Sequence, residues 1–145
     1  SVKILDATMH MPTSGRNAQK EFKLNHIKNS IFFDIDKYSN QNTILPHMLP
    51  AVSDWEINLS NLGINNSDHV IVYDNSELFS ACRVWFSFIY FGHSKNLISV
   101  LDGGFEKWQL ENRPISNNNR FFTNLYKHPK LVSYSYQSCV CLTYC

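Results

Sequence analysis

The segment His69-Val70-Ile71-Val72-Tyr73 is followed at once by the polar turn Asp74-Asn75-Ser76-Glu77. Its Val and Ile residues follow one another without polar interruption, which is typical of a strand buried on both faces of a parallel sheet. After the turn, Phe79 to Phe91 is a strongly apolar stretch that ends at Gly92, and this pattern predicts a helix. A buried strand that turns directly into an apolar helix is the repeating unit of an α/β fold.

Segments on both sides of this unit continue the alternation. Strand character, given by Val, Ile, Leu and Phe, recurs in Val2 to Ala7, Ser30 to Ile35 and Leu97 to Leu101. Helical spacing of apolar residues, or a helix start signal, occurs in Arg16 to His26, Ser53 to Gly63 and Phe105 to Leu110. In the second of these, Ser53 and Glu56 have the spacing of a capping box. We therefore predict an α/β domain with a mainly parallel central sheet and helices on both faces.

The composition limits the classes of partner. The 145 residues are 43% hydrophobic and 14% aromatic, which suits one globular domain with a substantial core. Thirteen basic residues against twelve acidic ones give a net charge of +1 without a basic run, so we expect no nucleic-acid partner. The longest apolar stretch, Val84 to Phe91, is interrupted by Ser87 and is far shorter than the roughly 20 residues that span a bilayer. We expect a soluble chain, with no membrane contact, that binds small molecules or proteins.

The composition changes after Ser116. Asn117-Asn118-Asn119 and scattered tyrosines follow without a clear period, so we place the domain at residues 1–116 and interpret residues 117–145 as a linker or an abnormal C-terminal tail. Three of the four cysteines crowd the last seven residues, unlike a disulfide framework, which favours a reducing compartment such as the cytoplasm. Because the chain begins with Ser1 rather than Met, a trimmed targeting segment leaves a mitochondrial location open.

Several motifs, taken together and in order, resemble those of one enzyme family. They are Ile4-Leu5-Asp6-Ala7, Gly15-Arg16-Asn17-Ala18, Phe32-Phe33-Asp34-Ile35-Asp36, Leu45-Pro46-His47-Met48-Leu49-Pro50, Val72-Tyr73-Asp74, Arg83-Val84-Trp85 and Leu101-Asp102-Gly103-Gly104. From about residue 4 to 116 the chain resembles the N-terminal half of the two-domain thiosulfate/3-mercaptopyruvate sulfurtransferases of the rhodanese type. The resemblance implies a rhodanese-like fold and a role in sulfur transfer.

The resemblance also implies where the chemistry lies. The family moves a sulfane sulfur from thiosulfate or 3-mercaptopyruvate to a thiophilic acceptor, such as cyanide or a thiol, through a persulfide on a cysteine at a strand-to-helix turn. Asp74 occupies the position of that cysteine, so this turn has no nucleophile, and Glu77 would repel an anionic donor. We expect the chain alone to be inactive and to need the cysteine-bearing C-terminal rhodanese domain as its partner, with no cofactor and no metal.

In the mercaptopyruvate branch, the resemblance assigns supporting catalytic roles to Asp36 and His47. The carboxylate would orient the imidazole, which would polarise a serine hydroxyl of the missing domain near the substrate carbonyl. The residues themselves allow a plainer interpretation, in which Asp36 ends its strand in an Asx turn and His47 hydrogen-bonds to backbone. Both interpretations stay open.

Two residues of the apolar helix have structural interpretations. We predict that Cys82 is a buried structural thiol and that Arg83 forms an ion pair within the domain or with a neighbouring one. A Cys-based phosphatase is disfavoured, because none of the four cysteines is followed six positions later by an arginine.

Two functions from different classes therefore remain. The chain is either the noncatalytic N-terminal half of a sulfurtransferase or a stand-alone, inactive rhodanese-like module that binds or regulates a partner. An apolar face exposed by the lack of a second domain would favour the first.

Overall fold

The computed structural model describes residues 1–117. The strands are β1 (Val2–Asp6), β2 (His26–Ile27), β3 (Ser30–Phe32), β4 (His69–Tyr73), β5 (Ile98–Val100) and β6 (Ile115–Ser116). β3, β1, β4 and β5 lie side by side in that order as a parallel sheet. β2 and β6 form a separate antiparallel pair. The two strands at the centre of the parallel sheet are therefore β1 and β4.

Helices connect these strands. They are α1 (Ala18–Leu24), α2 (Val52–Asn61), α3 (Ser80–Tyr90) and α4 (Gly104–Leu110), with short 3-10 turns at Pro12–Ser14 and Lys95–Leu97. The first helix is capped by Asn17, whose side chain accepts a hydrogen bond from the backbone N–H of Lys20 at 2.8 Å. Within residues 1–117, every helix is too short or too polar to cross a bilayer.

Helices cover both faces of the sheet, because neighbouring residues of a strand point to opposite faces. On one face, Trp55 of α2 and Phe88 of α3 pack edge to face at a ring-centroid distance of 5.2 Å, in a cluster that includes Val72. On the other face, Phe105 of α4 packs on Tyr73 at 5.8 Å. The predicted α/β class, with a mainly parallel sheet, is confirmed.

Some boundaries differ from the sequence predictions. β3 ends at Phe32, three residues earlier than predicted. The capping box is wrong, because α2 begins at Val52 after Ala51, which places Ser53 inside the helix. β2 and β6 were not predicted, since two-residue strands leave no readable period. Of the segment interpreted as a linker or tail, residues 118–145 lie outside the described residues.

The order of the parallel strands places the candidate site. The carboxyl ends of neighbouring parallel strands meet at the same edge of a sheet. The residues that follow β1, β4 and β5 are therefore close together, and Asp74 lies between the segment after Asp6 and the start of α4.

Candidate functional site

Asp74, the residue after β4, caps the start of α3. Its Oδ2 accepts hydrogen bonds from the backbone N–H of Ala81 at 2.9 Å, the Ser80 hydroxyl at 3.1 Å and the Ser76 hydroxyl at 3.4 Å. Phe79, the residue directly before the helix, has a positive φ of 51° and no side-chain cap. A carboxylate at a helix N-terminus is stabilised by the free N–H groups and by the helix dipole. The Asp74 side chain thus caps the N-terminus of α3.

The main chain of Asp74 is held by α4. Its carbonyl oxygen accepts a hydrogen bond from the N–H of Phe105 at 2.9 Å. A Cβ atom on Gly104 would lie 2.6 Å from the same oxygen, and Gly104 has a φ of +56°. Only glycine therefore allows α4 to begin this close to the turn.

Hydrogen bonds from β1 hold the other side of the turn. The backbone N–H of Asn75 donates to the Thr8 hydroxyl at 2.9 Å, and that hydroxyl donates to Asp6 Oδ1 at 2.5 Å. Burial raises the pKa of the Asp6 carboxyl, while hydrogen bonds from Thr8 oppose the rise. The motif that contains Asp6 therefore supports the turn that contains Asp74.

An ion pair from α1 also reaches this turn. The Arg16 guanidinium donates twice to Glu21, at 2.8 Å each, and once to the carbonyl of Asn75 at 3.3 Å. His10 Nε2 lies 3.0 Å from the same glutamate. The hydrogen bonds from Arg16 lower the pKa of Glu21 below its usual value. The cation beside the turn is thus already paired, and the turn contains no thiol.

The fold brings Asp36 and His47 together although 11 positions separate them. His47 Nδ1 lies 3.0 Å from Asp36 Oδ1. The contact is not an aligned hydrogen bond, since Nδ1 has no hydrogen-bond partner within residues 1–117. The His47 side chain is 40% exposed and the Asp36 side chain 73%, although the Nδ1 atom of His47 is itself buried. The hydrogen bond from backbone to an aspartate side chain at this point belongs to Asp34, whose Oδ1 accepts from the N–H of Lys37, three residues on, at 3.1 Å.

Arg83 contacts the loop that carries His47. Its Nη2 donates to the His47 carbonyl at 2.5 Å, and within residues 1–117 Arg83 makes no ion pair, so the prediction of a pair inside the domain is wrong, while a pair with a neighbouring domain stays a prediction. The cavity beside this contact, lined by Met48, Trp55 and Arg83 among others, measures about 20 Å³. That volume admits one water molecule and is too small for a sulfur donor.

Cys82 is exposed, so the prediction of a buried thiol is wrong. Helical spacing turns Ala81, Val84 and Phe88 toward the core and leaves position 82 on the outer side of α3. Among residues 1–117, no cluster of three or more His, Cys, Asp or Glu side chains is arranged to hold a metal, and the prediction of a metal-free site stays a prediction.

Comparisons with known proteins agree with this geometry. Residues 2–111 match the Rhodanese-like domain family. The chain belongs to the rhodanese family. Thiosulfate/3-mercaptopyruvate sulfurtransferase 1, mitochondrial, of Arabidopsis thaliana is 47% identical over 108 residues, which are 74% of this chain and 28% of that protein. The 3-mercaptopyruvate sulfurtransferase of Rattus norvegicus is 42% identical over 118 residues, which are 80% of this chain and 39% of that protein.

A solved structure gives the same result. The crystal structure of SseA from Escherichia coli, a 3-mercaptopyruvate sulfotransferase, superimposes with a TM-score of 0.74 at 37% identity, over 81% of this chain and 44% of that one. The predicted family is confirmed. This rhodanese domain spans less than half the length of each of these three relatives.

The rhodanese domain exposes several large apolar side chains around the start of α3. Phe79, directly before α3, is 74% exposed, and Phe86, within α3, is 45% exposed. Ile44 is fully exposed, at 100%, in the loop that leads to His47. The Arg83–His47 hydrogen bond joins that loop to α3. We call the exposed apolar side chains of these two connected segments, Ile44, Leu45, Met48, Phe79 and Phe86, the apolar face.

Proposed function

We propose that this rhodanese domain is the N-terminal half of a sulfurtransferase and supports a persulfide cysteine carried by a C-terminal rhodanese domain. The donor is thiosulfate or 3-mercaptopyruvate, and the acceptor is cyanide or another thiophile. The donor sulfur bonds to the thiolate as sulfite or pyruvate leaves, and the acceptor then removes it and regenerates the thiolate. The names and identities of the relatives support the reaction class.

One observation supports the assignment of the nucleophile to another domain. The only position in this domain that matches the family's cysteine is Asp74, and its carboxylate is bound by three donors at the start of α3. A carboxylate is a far weaker sulfur nucleophile than a thiolate, and the donors that would stabilise a persulfide are already in use. The nucleophile must therefore come from elsewhere.

Asp36 and His47 are the residues through which this half would take part. Asp36 Oδ1 lies 3.0 Å from His47 Nδ1, so a small rotation of either side chain would give the aligned hydrogen bond by which a carboxylate orients an imidazole, and the His47 side chain is 40% exposed. On a neighbouring domain, a serine hydroxyl polarised by this ring would stabilise charge that develops on the mercaptopyruvate carbonyl. The apolar face lies beside His47 and supplies a surface on which such a domain could pack.

The test is sulfur transfer by the purified chain, given either donor with cyanide, beside a Cys82→Ser variant. We expect no thiocyanate and no added sulfur mass on Cys82. Turnover that disappears in Cys82→Ser would show that Cys82 is the nucleophile and would overturn the proposal.

A second measurement separates the half-enzyme from a stand-alone binding module. In a full-length enzyme that contains this chain, we expect Asp36→Ala and His47→Ala each to lower mercaptopyruvate turnover while the domain stays folded. Unchanged rates in both variants would exclude the proposed relay through Asp36 and His47. They would also remove the support for a direct role of this domain in the reaction.

A further inference from the structure

We infer that Arg83 is a positioning residue that fixes His47 beside Asp36. The inference deepens the proposed function, because it concerns how this half holds the relay. Its central observation is the 2.5 Å hydrogen bond from Arg83 Nη2 to the carbonyl oxygen of His47, across 36 positions of sequence. A hydrogen bond from a charged donor is roughly twice as strong as a neutral one.

The backbone of His47 needs such an anchor. Its φ is +58°, in the left-handed region that non-glycine residues seldom occupy. The flanking residues Ile44, Leu45 and Pro46 are exposed and provide little packing. The nearest backbone–backbone hydrogen bond runs from the Asn40 N–H to the Met48 carbonyl at 2.8 Å. Without Arg83, the loop would be free to leave the left-handed conformation and turn the imidazole away.

Arg83 is well placed to act as a fixed point. It lies in α3 next to Val84, which is buried, and its own carbonyl accepts a hydrogen bond from the Ser87 hydroxyl at 3.0 Å. Within residues 1–117 the guanidinium makes no ion pair, so no carboxylate competes for the donors that face His47. The capped helix therefore holds Arg83, and Arg83 holds the His47 backbone.

The first arm of the test uses the whole chain and needs no activity. Asp36→Asn is introduced into the wild-type chain and into the variants Arg83→Gln and Arg83→Lys. The ring signals of His47 are followed by NMR after assignment with His47→Gln. We expect Asp36→Asn to shift the His47 signals in the wild-type background. The shift should fall to less than about half in Arg83→Gln and be intermediate in Arg83→Lys, which keeps the charge but not the planar fork.

Controls keep this arm decisive. Arg113→Gln is the matched control, because Arg113 pairs with Glu111 in the segment after α4 and should leave the shift unchanged. Circular dichroism checks the fold, and if Arg83→Gln unfolds, the Arg83→Lys result decides. A full-sized shift in both folded Arg83 variants, or no shift in the wild-type background, would overturn the inference.

The second arm separates this inference from the proposed function. In a full-length enzyme that contains this chain, misplacement of the ring should lower kcat for 3-mercaptopyruvate by about 10- to 100-fold, since an error of about 1 Å can cost 100-fold. KM should change little. Thiosulfate has no carbonyl, so its turnover should stay unchanged and serves as the internal control. If the NMR shift is lost but both turnovers persist, the positioning role stands and the relay fails.

Discussion

Replacement of Asp74 by alanine should destabilise the domain, because it removes an acceptor that three donors share. Loss of a helix cap costs about 0.5–2 kcal/mol, and a buried donor left without a partner costs about 1–3 kcal/mol. Ser80 and Ala81 are each only 2% exposed, so water replaces the carboxylate poorly. We therefore expect the free energy of unfolding to fall by about 2–3 kcal/mol.

Urea unfolding of the whole chain, followed by circular dichroism, measures this loss. Asp74→Asn keeps an oxygen that can accept from Ala81 and should lose only about 1 kcal/mol. Glu77→Ala changes a carboxylate in the same turn that makes no hydrogen bond within residues 1–117, and should stay within about 0.5 kcal/mol of wild type. If Asp74→Ala and Glu77→Ala are equally stable, the carboxylate does not cap α3 and our account of the turn is wrong.

Three further predictions concern the same edge of the sheet. Gly104→Ala should lower the free energy of unfolding by more than about 1 kcal/mol, because the new Cβ meets the Asp74 carbonyl, and thermal unfolding measures it. Asp74→Cys should give a thiol alkylated by iodoacetamide faster than Cys82, since the donors at α3 stabilise a thiolate; equal peptide-resolved rates would contradict this. Burial raises the pKa of Asp6, so wild-type stability should fall as pH rises from the usual carboxyl value through the raised one. Asp6→Asn should remove that slope in urea titrations, and an unchanged slope would show that another group causes it.

The sequence predicts those parts of the fold whose apolar pattern is long and continuous. β4 is observed at the predicted residues and α3 within one residue at each end, because both are long runs packed on the sheet. The exposure of Cys82 can be predicted from helical spacing. Val84 and Phe88 define the buried side of α3, and residue 82 does not lie on that side.

Other features of the site depend on contacts that no local pattern records. Only the family resemblance predicts the Asp36–His47 pair. The pair occurs with a left-handed backbone at His47, and the residue type histidine does not predict that conformation. Arg83 donates to a backbone carbonyl, and every residue has one, so the sequence offers no signal for its partner. Residue types predict chemistry at a site better than they predict which neighbour holds it in place.

The strand-to-helix turn at Asp74 can hold either a nucleophile or a capping side chain. A strand-to-helix turn of this kind presents donors that suit a negative charge, whether on a thiolate, a persulfide or a carboxylate. In this chain the acceptor is a side chain of the protein itself, so the donors stabilise α3 instead of a transient sulfur anion. A stable α3 in turn holds Arg83, which reaches the loop of His47. Under the proposed function, the carboxylate at position 74 takes the place of a nucleophile in the turn and, through α3 and Arg83, supports the loop of His47.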